Sequence, residues 1–245
     1  MQRYFVEPHL FSDRDVTIVG DDVHHIVTVM RSEIGQEVIV CDGQGRVALT
    51  RLSQLSGKEV KAEIIRMLDE RSELPVRITI AQGLPKGDKM EWILQKGTEL
   101  GAYAFWPFSS ERTVVKLDAK KEGKKLERWQ KIVKEAAEQS HRAILPQIHA
   151  PASWKQMLAA ASQYTRCVIA YEKEERSHLS AVLQQLAPGD SLLVLIGPEG
   201  GFSSQEVEQA EAAGAVPVTL GPRILRTETA ASYVLASASY RFEQT

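Results

Sequence analysis

The chain has 245 residues, 43% of them hydrophobic and 25% charged. That is ordinary globular composition, and it excludes a disordered chain, a collagen and a coiled-coil rod. The length allows one or two domains of roughly 150 residues each, and a formal net charge of −2 with a pI near 6.3 advertises no polyanionic partner. Two cysteines, Cys41 and Cys167, cannot frame disulfides or a zinc cluster, and the six histidines show no metal-ligand spacing, so no metal is expected.

The amino terminus, Met1-Gln2-Arg3-Tyr4-Phe5-Val6-Glu7-Pro8, lacks the apolar core of a signal peptide. No apolar run nears the roughly 20 residues of a membrane span. A soluble, cytoplasmic protein is expected. Up to about Leu68 the pattern is short strands and turns. Asp21-Asp22 before His24-His25-Ile26-Val27 reads as a helix start, with Gly35 closing the unit. Val38 to Cys41 runs into the turn Asp42-Gly43-Gln44-Gly45 and resumes at Arg46, while Val60, Ala62 and Ile64 alternate with charges as a half-buried strand does. A compact barrel of about 70 residues fits, with Asp69 to Glu73 and Pro75 as linker. The expected division is 1–72 and 73–245.

Beyond Pro75 strands and helices alternate. Val76, Ile78 and Ile80 mark a strand that Gly83-Leu84-Pro85-Lys86-Gly87 breaks. Asp88 with Glu91 predicts a capped helix carrying Met90, Ile93, Leu94 and Leu100 inward and ending at Gly101. Ala104 to Phe108 predicts a strand, and Leu126, Trp129, Ile132, Val133, Ala136 and Ala137 a long helix. Its surroundings, from Arg112 to Arg142, are rich in bases and read as a solvated helical face. Strands follow at Cys167 to Tyr171, Leu192 to Ile196 and Val216 to Leu220. Ser203 with Glu206 makes a capping box for a helix to Ala213, and the last helix covers Glu228 to Phe242. Such alternation predicts an α/β fold with a parallel sheet covered on both faces. Tyr4, Phe5, Trp92, Trp106 and Trp154 are spaced as core aromatics.

Ligands of open α/β sheets bind beyond the carboxyl ends of the strands. Those ends read Ala170-Tyr171-Glu172, Gly197-Pro198-Glu199-Gly200-Gly201-Phe202 and Gly221-Pro222-Arg223-Ile224-Leu225-Arg226-Thr227-Glu228-Thr229-Ala230. Glycines admit close approach and positive φ, the two Gly-Pro steps stiffen the loops, and the helix near Ser203 adds a positive dipole end. Two such loops favour a nucleoside-type ligand. The absence of G-x-x-x-x-G-K-[ST], and of G-x-G-x-x-G after a strand, argues against ATP and NAD.

The two segments Leu195-Ile196-Gly197-Pro198-Glu199-Gly200-Gly201-Phe202-Ser203 and Leu220-Gly221-Pro222-Arg223-Ile224-Leu225-Arg226-Thr227-Glu228-Thr229-Ala230 closely resemble the RsmE family of the SPOUT superfamily. The resemblance extends to Arg3-Tyr4-Phe5, His24-His25-Ile26, Met30-Arg31, Lys86 to Glu91, Lys96 to Gly101, Ser110-Glu111-Arg112 and Glu138 to Arg142. It implies methylation of N3 of a uridine in 16S rRNA of the small ribosomal subunit. The implied fold is a PUA-like N-terminal barrel and a SPOUT methyltransferase domain with a trefoil knot, assembled as a homodimer. It also implies S-adenosylmethionine at Tyr171, Glu172, Ile196 to Gly201, Leu220, Gly221, Ile224, Leu225, Thr229 and Ala230.

A protonated imide nitrogen is a poor nucleophile. Arg226 is therefore expected to stabilise charge on the uracil oxygens, with Glu228 or Glu199 as base or as orienter of Arg226; a purely structural Arg226–Glu228 pair is the competing reading. Arg3, His25, Arg31, Lys86, Lys89, Arg112, Lys116 and Arg142 are the expected RNA contacts. The final helix carries small residues from Ala230 to Ser239 suited to close packing against a neighbour. A non-catalytic ribosome assembly factor and a ribose 2′-O-methyltransferase are the alternatives.

Overall fold

In the computed structural model of the chain, residues 1–115 and 119–244 are described, with 119–121 described by backbone alone. Lys116 thus lies outside the described residues. The chain divides into two compact units, one of Met1–Glu73 with Ala137–Leu145 and one of Leu74–Ala136 with Pro146–Thr245.

The first unit holds β1 (Arg3–Phe5), β2 (Asp15–Val19), β3 (Glu37–Cys41), β4 (Val47–Leu55) and β5 (Glu59–Leu68). They form a sheet in the order β1-β3-β4-β5-β2, parallel only between β1 and β3. A short helix, α1 (Asp21–His24), runs on into a π turn at His25–Val29. The period-two pattern of β5 works as its sequence suggests: Val60 and Ala62 enter a core with Tyr4, Val16, Ile18, Ile26, Val38, Val40 and Leu52. The turn between β3 and β4 is built by Asp42, whose Oδ1 accepts from the amides of Gln44 (2.8 Å) and Arg46 (2.9 Å).

Residues 137–145 return to this unit, which a single division at residue 72 does not accommodate. Ala137 and Ala143 pack with Phe5, Cys41 and Val47. Arg142 grips Glu73, its Nε donating at 2.9 Å to both carboxylate oxygens, and Glu73 Oε1 also accepts from the amides of Ala143 (2.9 Å) and Ile144 (3.1 Å). Arg3 donates to the Arg142 carbonyl (3.1 Å) and to Glu70 (2.9 Å). Glu70 and Glu73, expected in a linker, are therefore structural anchors. Arg3 and Arg142 are 4% and 2% exposed. Both were expected to contact RNA, Arg142 at a phosphate; both are buried and already paired within this unit.

The second unit contains β6 (Arg77–Gly83), α2 (Lys89–Glu99), β7 (Ala104–Ser109), α3 (Ala119–Gln139), β8 (Gln147–Ile148), β9 (Ala152–Ser153), α4 (Trp154–Ala160), β10 (Arg166–Ala170), α5 (Leu179–Leu183), β11 (Ser191–Ile196), α6 (Ser204–Ala212), β12 (Val216–Val218) and α7 (Thr227–Glu243). The last residues of α3, from Ala137, belong to the first unit. The sheet order is β12-β10-β11-β6-β7-β8, with β9 beside β7, and every pairing is parallel.

Both faces are covered, as the continuous apolar run of β11 requires. Ala81, Ile169, Leu193 and Leu195 pack with Met157 of α4 and with Val207 and Ala210 of α6, while α2 and α7 pack together and α7 contacts β11. Two expectations fail here. Trp92 is 44% exposed and not a core residue, because α2 turns Met90, Ile93 and Leu94 inward and Trp92 lies off that stripe. The Asp88 side chain makes no cap; only its carbonyl accepts, from the amides of Glu91 (3.0 Å) and Trp92 (3.3 Å). The Ser203–Glu206 box forms fully, and a second box, Ser153 with Gln156, opens α4.

Candidate cofactor site

The carboxyl ends of β10, β11 and β12 converge on a cavity of about 540 Å³, within the roughly 300–1,000 Å³ of small-molecule sites. Its wall takes Tyr171 and Glu172 after β10, Ile196 to Gly201 after β11, and Leu220 to Thr227 and Ala230 after β12. Thus the structure gathers nearly all the residues assigned to the cofactor. Glu228 and Thr229, also assigned to this site, are not among the lining residues. They follow Thr227 on α7, where successive side chains point about 100° apart.

The first loop is fixed by what its backbone touches. Gly83, at the end of β6, faces Pro198 so closely that a Cβ there would lie 2.6 Å from Pro198 Cδ. The Gly197 carbonyl accepts from Thr227 Oγ1 at 2.6 Å, and buried Gln82 donates its Nε2 to Thr227 Oγ1 at 2.7 Å. One threonine thus ties the end of β6, the first loop and the start of α7. Phe202 is buried and packs against Phe108 and Trp154. Next to it, Ser203 Oγ donates to Glu111 Oε2 (2.7 Å) and Glu206 Oε1 accepts the Glu111 amide (2.8 Å), bolting the segment after β7 onto the same loop.

The glycines divide by role. Gly201 (φ +64°) and Gly221 (φ +106°) occupy the left-handed region that favours glycine. Beside Gly221 a Cβ meets nothing within 4 Å among the described residues, so its face is open toward a ligand. Gly200, expected at positive φ against the ligand, is not in that region, and a Cβ there would meet Arg112 Cβ at 3.1 Å. Arg112 also donates to the Gly200 carbonyl at 2.8 Å, so it supports the loop from outside.

Charge at the rim is arranged around Lys89. Its Nζ lies 2.9 Å from Glu199 Oε1 and 3.6 Å from Glu228 Oε2, and Glu199 accepts the Lys86 amide as well (3.0 Å). Burial pushes the Glu199 carboxyl up, but the hydrogen bonds from Lys89 and from the Glu199 and Lys86 amides outweigh it and hold the group below its ordinary value. The hydrogen bond to Glu199, against some desolvation, holds Lys89 above its ordinary value. Arg226 is exposed at the N-cap of α7 and lines the cavity. Among the described residues it has no ion pair, and Glu228 is paired with Lys89 instead, against the reading of a structural Arg226–Glu228 pair.

Of the other expected RNA contacts, Lys86 and Arg31 are exposed. His25 is half-buried, with Nδ1 3.0 Å from the Tyr4 hydroxyl. Burial, with Asp22 and Glu138 adding to it, pushes that hydroxyl to about 12, so Tyr4 keeps its proton, and the tautomer of His25 sets which of the two groups donates. Lys89 was missed as a member of the cavity because its partners lie 110 and 139 residues away; no local spacing signals them. Among the described residues no group of three His, Cys, Asp or Glu is placed to hold a metal ion, and no helix is long and apolar enough to cross a membrane.

Two family models match the chain: an RNA methyltransferase domain over residues 72–239 and an RNA methyltransferase PUA domain over residues 18–65. The chain is 47% identical to the ribosomal RNA small subunit methyltransferase E of Bacillus subtilis over 250 aligned positions, 99% of this chain and 98% of that protein. Its fold is similar to the crystal structure of a ribosomal RNA small subunit methyltransferase E from Neisseria gonorrhoeae bound to S-adenosyl methionine. The two superpose with a TM-score of 0.84 at 32% identity, covering 98% and 97% of the two chains. It is also similar to a methyltransferase of Legionella pneumophila in complex with the same cofactor, with a TM-score of 0.85 at 29% identity over 97% and 96% of the chains.

Proposed function

The chain belongs to the ribosomal RNA small subunit methyltransferase E family, and on that premise we propose that it methylates N3 of a uridine in 16S rRNA, with S-adenosylmethionine as donor. The observation that carries the reading is the cavity itself. Stiff Gly-Pro loops close it, Ile196, Leu220, Ile224, Leu225 and Ala230 give it apolar walls, and Glu172 and Glu199 put two carboxylates beside a cationic ligand.

Bound there, S-adenosylmethionine supplies a methyl group whose bond pair returns to sulfur as the sulfonium becomes a neutral thioether. The chain's own residues do the rest. The Gln82–Thr227–Gly197 tie holds the cofactor loop in place, which keeps donor and acceptor aligned without reorganisation. Arg226 presents a planar fork of donors to the uracil oxygens on which charge collects. Glu199, held below its ordinary value, is a weak base and serves as an anchor.

The proposal includes a homodimer formed on α7, whose Tyr240 is 64% exposed beside a groove shared with α5, together with a cytoplasmic location. It includes the trefoil knot implied by the resemblance. The test combines calorimetry with S-adenosylmethionine and mass spectrometry of nucleosides from small-subunit rRNA after reaction. Binding and N3-methyluridine are expected. Absent binding would favour an assembly factor, and a ribose-methylated product a 2′-O-methyltransferase; either overturns the proposal.

A further inference from the structure

Lys89 was expected to meet an RNA phosphate, and its surroundings argue otherwise. With Glu199 at 2.9 Å and Glu228 at 3.6 Å, the three groups carry one more negative than positive charge. Such a cluster repels a phosphate. The lysine nonetheless lines the cofactor cavity, as Arg226 does. An ammonium has three donors; Glu199 accepts one, and Glu228 Oε2, buried without a hydrogen bond among the described residues, faces a second. At least one donor remains for a ligand. Two carboxylates from different elements, the loop after β11 and helix α7, fix where that donor stands. Glu228 itself does not line the cavity and touches the site through Lys89.

Resting on the proposed uracil-N3 chemistry, we infer that Lys89 is a catalytic residue whose ammonium donates to one carbonyl oxygen beside N3, with Glu228 as its positioning residue. When the N3–H bond breaks, the proton passes to solvent water and the electron pair left on nitrogen spreads onto O2 and O4 before it forms the bond to the methyl carbon. Two flanking oxygens call for two donors; Lys89 of α2 and Arg226 at the start of α7 line the cavity together with Arg223, and of these Lys89 is the one held in place by two carboxylates. The carboxylate-paired ammonium stays charged throughout, so its strength as a donor is retained in the transition state.

The experiment compares wild type with Lys89→Met, Lys89→Arg and Glu228→Gln. Three quantities are read: calorimetric affinity for S-adenosylmethionine, salt dependence of 16S rRNA binding without cofactor, and single-turnover methylation with product nucleosides identified. Lys89→Met should keep cofactor affinity and salt slope while methylation falls about 10²–10³-fold, the usual loss for one preorganised donor. Lys89→Arg should recover part of the rate, and Glu228→Gln should lower the single-turnover rate with cofactor affinity and salt slope unchanged. A salt slope flattened by about 0.7–0.9 makes Lys89 a phosphate contact and overturns the inference. So does weakened cofactor affinity, or an unchanged rate in a folded Lys89→Met. Should Lys89→Met not fold, Lys89→Gln decides: wild-type single-turnover rate with full cofactor affinity in that uncharged variant removes the role. Wild type yielding a product other than N3-methyluridine would instead bring down the underlying reading, a result visible without any variant.

Discussion

The clasp of the first unit and the rim of the cofactor cavity use the same chemistry to opposite ends. Arg3 and Arg142 are sealed in, and carboxylates and a carbonyl take up most of their donors, although Arg3 Nε is buried without a hydrogen bond among the described residues. Arg226 and Lys89 sit at the edge of a cavity, one without an ion pair among the described residues and the other shared between two carboxylates that leave a donor over. In sequence all four are bases within recognisable motifs. Burial decides which charges hold the chain together and which remain for a ligand. Arg226 even sits at a helix N-terminus, where the dipole disfavours a cation by roughly 0.3–1 kcal/mol.

The sharpest way to break this contrast is Arg142→Ala. Removing one partner of a buried pair leaves the other uncompensated and costs about 3–5 kcal/mol, so the urea midpoint should fall steeply while cofactor affinity measured below the transition is unchanged. An unaltered midpoint would void the clasp. Arg226→Ala should do the reverse: an unchanged midpoint, with single-turnover methylation reduced about 10²–10³-fold, roughly 3–4 kcal/mol. Arg226→Lys should restore little, since an ammonium lacks the fork. Activity lost only in step with unfolding would move Arg226 to the structural side.

Thr227→Val tests the boundary between the two classes. It strips the Gly197 carbonyl of its closest donor and costs about 1–3 kcal/mol, with S-adenosylmethionine affinity weakened in calorimetry. Unchanged affinity would detach the tie from the cofactor loop. The smallest effect concerns pH. The Glu199 carboxyl titrates below its ordinary value of 4.5. It therefore adds stability that is complete above that value and is lost as pH falls through the depressed one. The unfolding free energies of wild type and Glu199→Gln should differ slightly at neutral pH, by under about 1 kcal/mol for so exposed a pair. They should converge on acidification; a difference that grows toward low pH contradicts the pairing.

What the sequence disclosed follows from how local each signal is. The Ser203–Glu206 box and the strand before it lie within a dozen residues, and both formed as read. The cavity was legible because its loops announce themselves by Gly-Pro steps at strand ends. The Lys89–Glu199–Glu228 cluster, the Gln82–Thr227 bond and the Glu111–Ser203 tie join residues about 90 to 145 positions apart, and a single sequence carries no mark of such pairings. Trp92 and Asp88 failed for a different reason: residue type suggested core and cap, but the helical phase and the backbone conformation at the N-terminus decide.

The return of residues 137–145 to the first unit has a consequence for synthesis. A nascent chain that has released its first 73 residues holds every strand of the small sheet but neither Arg142 nor the packing of Ala137 and Ala143. Those arrive only after β6, α2 and β7 have emerged and begun to seek partners of their own. The two units cannot mature one after the other like beads on a string. Closure of the first waits on the translation of much of the second, and a stop introduced at residue 73 should release a domain with its last fastening missing.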